Sequence, residues 1–501
     1  MAEEVESLEI AMDMTRNSDS RSTAQPNILL ICTDQHRHDF VGYLPHAPVR
    51  TPNLAALARR GTVFTHAVTP SAICAPARCA MASGLQPRRL GCLNNHDSLP
   101  SGTTTFYQRL RSGGYWTGFV GKLDLHKSYE SSVETPDGRL PLLFDLGFCD
   151  PMLCGGLMRP LATPTKNPYF AHLSARGQVD TFNADRRSRC LLPGLVDVMN
   201  TRVGQLDLRT AGLPEDWVAR VSKDSPFSGD DHTDGFVAAQ AMGWIKRASQ
   251  RPCPWFLQVN FSGPHDPYEP PSEFASKYHQ AAMPDPLPAD YAGKPSWIAE
   301  RFVSDHLESI RFVRRQYAAH IEFIDQQIGR ILAGLESAGQ AGNTIVIFTA
   351  DHGEMLGDFG LFTKRVGYEA SMRVPLVMAG PTIPSGWVTD ALVEWHDLNP
   401  TLCQWAGLPD QPDIDARSLV PLLARPEPGA HHRDAVMCEG HNYSCIRNHQ
   451  WKYINSRDDQ AELYDLRIDP QERTNLLTCG KADPDVLQTL EQARVSRQCH
   501  E

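Results

Sequence analysis

The most reactive pairing of side chains in this sequence is Cys74 with Arg78, in the run Cys74-Ala75-Pro76-Ala77-Arg78. Pro76 and, ten residues after the cysteine, Gly84 match the preferences at the start and just past the end of a short helix. Cys74 is therefore expected at a helix N-terminus, where free N–H groups and the helix dipole favour an anionic nucleophile and an anionic substrate group. Arg78, one turn on, faces the same side and can pair with either. A buried cysteine with a packing role is the ordinary alternative. Two sharper alternatives fail on spacing. A cysteine-phosphatase loop would need its arginine where Ala80 stands, and Cys79 is too far along for a Cys-x-x-Cys pair.

A nucleophile needs elements that hold it. Four apolar runs, Asn27–Thr33, Trp116–Gly121, Trp255–Phe261 and Thr344–Thr349, are predicted as buried strands by their continuous hydrophobicity. Each hands over to polar residues: Asp34-Gln35, Lys122, Pro264-His265-Asp266 and Asp351-His352. Sites in open α/β sheets collect beyond the carboxyl ends of the strands, so these four handovers belong to one site. Tyr317, Ile321, Ile324, Ile328, Ile331 and Leu335 recur in steps of four and three, the stripe of a scaffold helix. The pattern predicts an α/β fold with a largely parallel sheet over residues 26–425.

After about Pro426 short alternating segments near 435–439, 443–447, 451–455 and 462–466, then a helix near 484–497, predict a small antiparallel-sheet subdomain over 426–501. Residues 1–25 are polar and aperiodic and are expected to form a loose tail or a partner-contacting arm. Cys438, His441 and Cys445 fit no standard zinc spacing and are expected to be structural. Asn94-Asn95 is either a substrate-contacting pair or an ordinary polar loop.

The chain has 501 residues and a formal net charge of -11, with no basic run, which argues against a nucleic-acid partner while leaving room for a local anion pocket. Thirteen cysteines without regular spacing suggest reduced thiols, and no apolar stretch approaches the ~18 residues of a membrane span. The acidic N-terminus lacks the pattern of a secretory signal. A cytoplasmic protein with no membrane partner is the expectation, and homo-oligomerisation is left open.

Cys74-Ala-Pro76-Ala-Arg78 followed by Ser83-Gly84 resembles the signature of the sulfatase family, in the alkaline-phosphatase-like superfamily. The resemblance runs along most of the chain, through Asn27–Gln35, Thr51-Pro52-Asn53-Leu54, Gly121-Lys122 and Pro264-His265-Asp266-Pro267. It continues in Ala350–Asp358, Lys364, Tyr368–Pro375, Leu463–Leu466 and Asp469-Pro470.

The resemblance implies a large mixed, mostly parallel sheet flanked by helices, and hydrolysis of a small-molecule sulfate ester. It implies that Cys74 is oxidised to formylglycine by a separate maturation enzyme and that the hydrated aldehyde is the nucleophile. Asp34, Asp351, His352 and the group at position 74 would hold one divalent metal ion. Carboxylate oxygens favour Ca²⁺ or Mg²⁺, and the imidazole lets Mn²⁺ compete. Gln35 stands where many relatives have a second Asp and is the odd ligand of the set. Lys122 would bind the sulfate, and His265 and Lys364 would serve the bridging oxygen. Relatives carry Gly-Lys-x-His where this chain has Gly121-Lys122-Leu123-Asp124-Leu125-His126. In an extended segment Lys122, Asp124 and His126 would share a face, making His126 a candidate base oriented by Asp124. Phosphonate or phosphate ester hydrolysis by the same groups is the alternative.

Overall fold

The computed structural model describes residues 25–126, 141–154, 167–189, 218 and 221–498. The expected N-terminal tail, apart from residue 25, lies outside them, as does much of the stretch from 130 to 230. Eight strands form the main sheet. They are β1 (Asn27–Asp34), β2 (Gly61–Phe64), β4 (Trp116–Gly121), β5 (Asp150–Leu153), β6 (Trp255–Pro264), β7 (Thr344–Ala350), β8 (Leu376–Ala379) and β9 (Trp387–Thr389), in the order β5-β4-β6-β1-β7-β8-β2-β9. The first five in that order are mutually parallel, and β8 is antiparallel to both its neighbours. The four predicted strands are β1, β4, β6 and β7, adjacent at the centre, so their carboxyl ends share one edge. Two residues each, β3 (Ala67–Val68) and β10 (Val393–Glu394), form a separate parallel pair.

Alternate side chains of the central strands enter two cores. Ile28, Leu30, Ile345 and Ile347 face one layer, where α1 (Cys74–Ser83) packs through Ala77, Met81 and Ala82. Leu29, Ile31, Leu257, Val259 and Val346 face the other, covered by α2 (Thr233–Ala248) and α3 (Leu307–Ser337). All six residues of the predicted stripe on α3 are buried. A sheet covered on both faces explains why its strands are apolar throughout.

Short α4 (Glu369–Met372) lies behind the end of β7: Gly353 and Glu354 donate their N–H groups to the carbonyls of Ser371 and Ala370 at 2.8 and 2.9 Å. Next come the four antiparallel strands β11 (Val436–Glu439), β12 (Tyr443–Arg447), β13 (Trp451–Ser456) and β14 (Glu462–Asp465). They are followed by α5 (Pro484–Gln498). One apolar cluster runs through both sheets' surroundings, joining Met355, Phe359, Tyr368 and Met372 to Val436, Tyr443, Ile454 and Tyr464. Beside it Lys452 pairs with Glu369 of α4 at 2.9 Å and with Glu472 at 2.5 Å.

Candidate active site

The four strand handovers meet in one buried pocket. Cys74 opens α1 with its Sγ 3.1 Å from His352 Nε2, 3.8 Å from Asp34 Oδ1 and 4.0 Å from Lys122 Nζ. Ile73, the residue before the helix, has no side chain able to cap it. Asn95 does so from outside, its Oδ1 accepting the Ala75 N–H at 3.2 Å. That assigns Asn95 of the Asn94-Asn95 pair to holding the helix that opens at Cys74. Gly84 ends the helix in the left-handed region at φ 80°, as a C-terminal glycine does.

Arg78 organises the pocket. Its Nε donates to Asp351 Oδ2 (2.9 Å), its Nη2 to Asp34 Oδ2 (3.1 Å) and its Nη1 to the Lys122 carbonyl (2.8 Å). One buried guanidinium thus ties β1, β4 and β7 together, and its planar fork is what allows three strand ends to be served at once. Lys122 Nζ lies 2.5 Å from Asp34 Oδ2 and 3.3 Å from Asp124. Gly121, before it, has φ 117°, and a Cβ there would lie 1.9 Å from the Asn260 carbonyl, so the close approach of β4 to β6 requires glycine.

Beyond Lys122 the backbone departs from expectation. Asp124 has φ 59°, a left-handed turn that Asp tolerates, so the extended alternation that would put Lys122, Asp124 and His126 on one face does not apply. His126 is half-buried and bonds the backbone of Leu99; burial lowers its pKa against that bond.

Gln35 also adopts a left-handed turn, at φ 65°. Its carboxamide is engaged: Lys364 Nζ donates to Oε1 at 2.5 Å, and Nε2 donates to Asp266 Oδ1 at 3.2 Å and to Glu354 Oε2. Burial raises Glu354 to about 6. Lys364 is an expected site residue, whereas Asp266 and Glu354 had no role assigned from sequence; the only signal for those two was their nearness to His265 and His352. His265 Nδ1 lies 2.6 Å from the Asp266 carbonyl and leaves Nε2 as the ring nitrogen for the pocket.

The electrostatics favour negative charge at position 74. Burial and the Asp34 carboxylate push the Cys74 thiol up, but Lys122, Lys364 and His352 together hold it well below its ordinary range. Burial also opposes ionisation of Asp34, which Lys122, His265, Arg78 and Lys364 nevertheless hold well below the carboxylate range. His352 is raised: burial lowers it, and Asp351 and Cys74 outweigh that.

The ligand atoms of Asp34, Cys74, Asp351 and His352 lie within 4.8 Å of one another and all four residues are buried. The His352 Nδ1 contact with the Gly353 carbonyl at 3.0 Å fixes the ring and directs Nε2 inward, as the outer hydrogen bond of a ligating histidine does. Two carboxylates and one imidazole fit a hard or borderline divalent cation, and an oxygen at position 74 in place of sulfur would suit it better. Cys438 and Cys445, paired across β11 and β12, are buried free thiols, in keeping with a structural role.

A doubly covered α/β sheet that gathers a cysteine at a helix N-terminus, cationic donors and a candidate cation site at its carboxyl edge is the setting of an ester hydrolase. The sulfatase family model matches residues 26–408, so the chain belongs to the sulfatase family, hydrolases of sulfuric ester bonds within the alkaline-phosphatase-like superfamily. The model of the N-sulphoglucosamine sulphohydrolase C-terminal region matches residues 357–498. The chain is 29% identical to a choline-sulfatase of Rhizobium meliloti (91% of this chain, 83% of that protein). It is 28% identical to an arylsulfatase of Clostridium perfringens (90% of each). Among solved structures, the phosphonate monoester hydrolase of Agrobacterium radiobacter superposes with a TM-score of 0.72 at 25% identity, covering 94% of this chain and 96% of that one.

Proposed function

We propose that the protein hydrolyses a small sulfate monoester to an alcohol and inorganic sulfate, with an oxygen nucleophile made by oxidation of Cys74 to formylglycine. The observation that carries this reading is the convergence of Asp34, Lys122 and His352 on the Cys74 side chain, with Asp351 beside them and Arg78 bonded to both carboxylates. As an aldehyde hydrate, position 74 would offer one hydroxyl to attack sulfur and a second whose deprotonation releases sulfate, so no water attack on the enzyme-bound ester is needed. A divalent cation held by Asp34, Asp351 and His352, with Ca²⁺ the first expectation and Mn²⁺ or Mg²⁺ alternatives, would add positive charge at the non-bridging oxygens.

The chain's own groups do the rest. Arg78 fixes both carboxylates and the nucleophile helix. Lys122 and Lys364 present ammonium groups to the sulfate oxygens, preorganised charge of the kind that supplies the largest catalytic share. His265 donates the Nε2 proton to the leaving oxygen while the contact at Nδ1 keeps the ring oriented. For His126 we propose a minor share in proton movement, because its ring is engaged with Leu99. A formylglycine-generating enzyme would be the maturation partner. A cytoplasmic setting is part of this proposal, supported by the irregular spacing of the cysteines in the sequence.

Phosphonate or phosphate ester hydrolysis is the second reading, supported by the 25% identity and close superposition with a phosphonate monoester hydrolase. Turnover of matched aryl sulfate, phosphate and phosphonate esters separates them: a clear phosphonate preference would displace the first reading. The mass of the peptide spanning Cys74 tests the modification directly.

A further inference from the structure

The end of β6 carries His265, and a buried assembly on the far side of the strand holds that end in place. Asp234, near the start of α2, is fully buried; its Oδ1 accepts the backbone N–H groups of Ser262 (2.8 Å) and Gly263 (3.3 Å). Its Oδ2 lies 2.9 Å from Nε2 of His320, a fully buried residue of α3. His232 caps α2, its Nδ1 accepting the Asp234 N–H at 3.1 Å and its Nε2 lying 3.2 Å from the Glu269 carbonyl. There is no slack around these contacts. A Cβ on Gly263 would lie 2.4 Å from His320 Nε2 and 2.7 Å from Asp234 Oδ2.

A carboxylate with two imidazoles resembles a cation site in its residue types. The bonding is against that use: His320 donates directly to Asp234, and the other carboxylate oxygen is filled by two backbone donors. Those backbone donors stand two and three residues before His265. With Nδ1 of His265 bound to its own neighbour's carbonyl, the direction of Nε2 is set by the course of residues 262–266.

We propose that Asp234 and His320 are positioning residues that set the His265 imidazole against the leaving-group oxygen; this rests on the reading of His265 as the proton donor. As the sulfur–oxygen bond to the alcohol breaks, the electron pair stays on the bridging oxygen and the proton of His265 Nε2 moves to it. Loosening the anchor shifts that proton while leaving position 74, the cation ligands and the sulfate-binding ammonium groups untouched. The cost then depends on how much the departing alcohol needs a proton, a dependence that general loss of structure does not produce.

The test compares the mature enzyme with Asp234→Asn, His320→Gln and Gly263→Ala, using His265→Ala as the reference. Substrates run from nitrophenyl sulfate, which leaves readily, to unsubstituted phenyl sulfate. For the anchor variants we expect kcat on phenyl sulfate to fall about 10²-fold, the cost of a small misplacement. On nitrophenyl sulfate the loss stays within about threefold, because little proton transfer is needed there. KM and the far-UV circular dichroism spectrum stay unchanged. Equal losses on both substrates, beside a steep dependence in His265→Ala, would overturn the anchor. A flat dependence in His265→Ala would instead overturn the role given to His265. If Asp234→Asn does not fold, Gly263→Ala, which keeps both anchoring side chains but crowds them, is judged by the same criterion.

Discussion

Two buried clusters in this protein use the same materials for different ends. Asp34, Asp351 and His352 surround Cys74, and Asp234, His232 and His320 surround the backbone of Gly263. Both consist of carboxylate and imidazole, and both lie at the carboxyl ends of parallel strands. In the first, the carboxylates face side-chain cations, Arg78 and Lys122, and the Cys74 sulfur keeps contacts of 3.1 to 4.0 Å. In the second, the carboxylate is filled by backbone N–H groups and one imidazole. Residue types do not separate a reactive cluster from an anchoring one; the bonding partners do.

The comparison breaks most visibly at Cys74. Cys74→Ala should lower kcat by about 10⁴-fold or more, as loss of a covalent nucleophile does, while metal-dependent stabilisation persists. Steady-state turnover together with thermal unfolding checks both halves, and retained turnover would remove the nucleophile from the first cluster. Lys122→Ala should lower kcat about 10²- to 10³-fold, the cost of one preorganised donor, measured on an aryl sulfate at saturation.

Metal addition sharpens the contrast. Mn²⁺ or Ca²⁺ at a hundred times its Kd should raise unfolding stability by about 2.7 kcal/mol. Calorimetry should find that gain missing in Asp351→Asn and intact in Asp234→Asn; the reverse would exchange the roles of the two clusters.

The smallest effect is one of pH. Burial lowers His232 from 6.5 to about 4 in the folded protein. The unfolded chain therefore takes up this proton first, so stability is unaffected above pH 6.5 and falls as pH drops towards 4. Between pH 7.5 and 5 the loss is about 2 kcal/mol, and His232→Asn should flatten that part of a urea-unfolding pH series.

The central sheet was legible because β1, β4, β6 and β7 are apolar throughout and long enough to stand out. The edge was not: β8 and β9 have four and three residues, too few for a period to show. Cys74, Lys122, Asp351 and His352 were legible because each stands beside a strand end or within a motif. The turn at Asp124 was hidden, since a single left-handed residue leaves no mark on hydrophobic pattern. Asp234 and His320 were hidden for another reason. They are 86 residues apart, each sits in a helix, and only the folded chain sets them against Gly263.

The apolar cluster that joins Met355, Phe359 and Met372 to Tyr443, Ile454 and Tyr464, with Lys452 gripping Glu369 beside it, also bears on ancestry. The terminal sheet supplies part of the apolar wall behind the loop that carries His352. A gene fusion that exchanged that sheet for a foreign one would leave the wall with mismatched apolar surfaces and an unbalanced charge. New specificities in such a lineage are expected to arise by drift within loops rather than by trading modules, because the two sheets have to be inherited as a matched set.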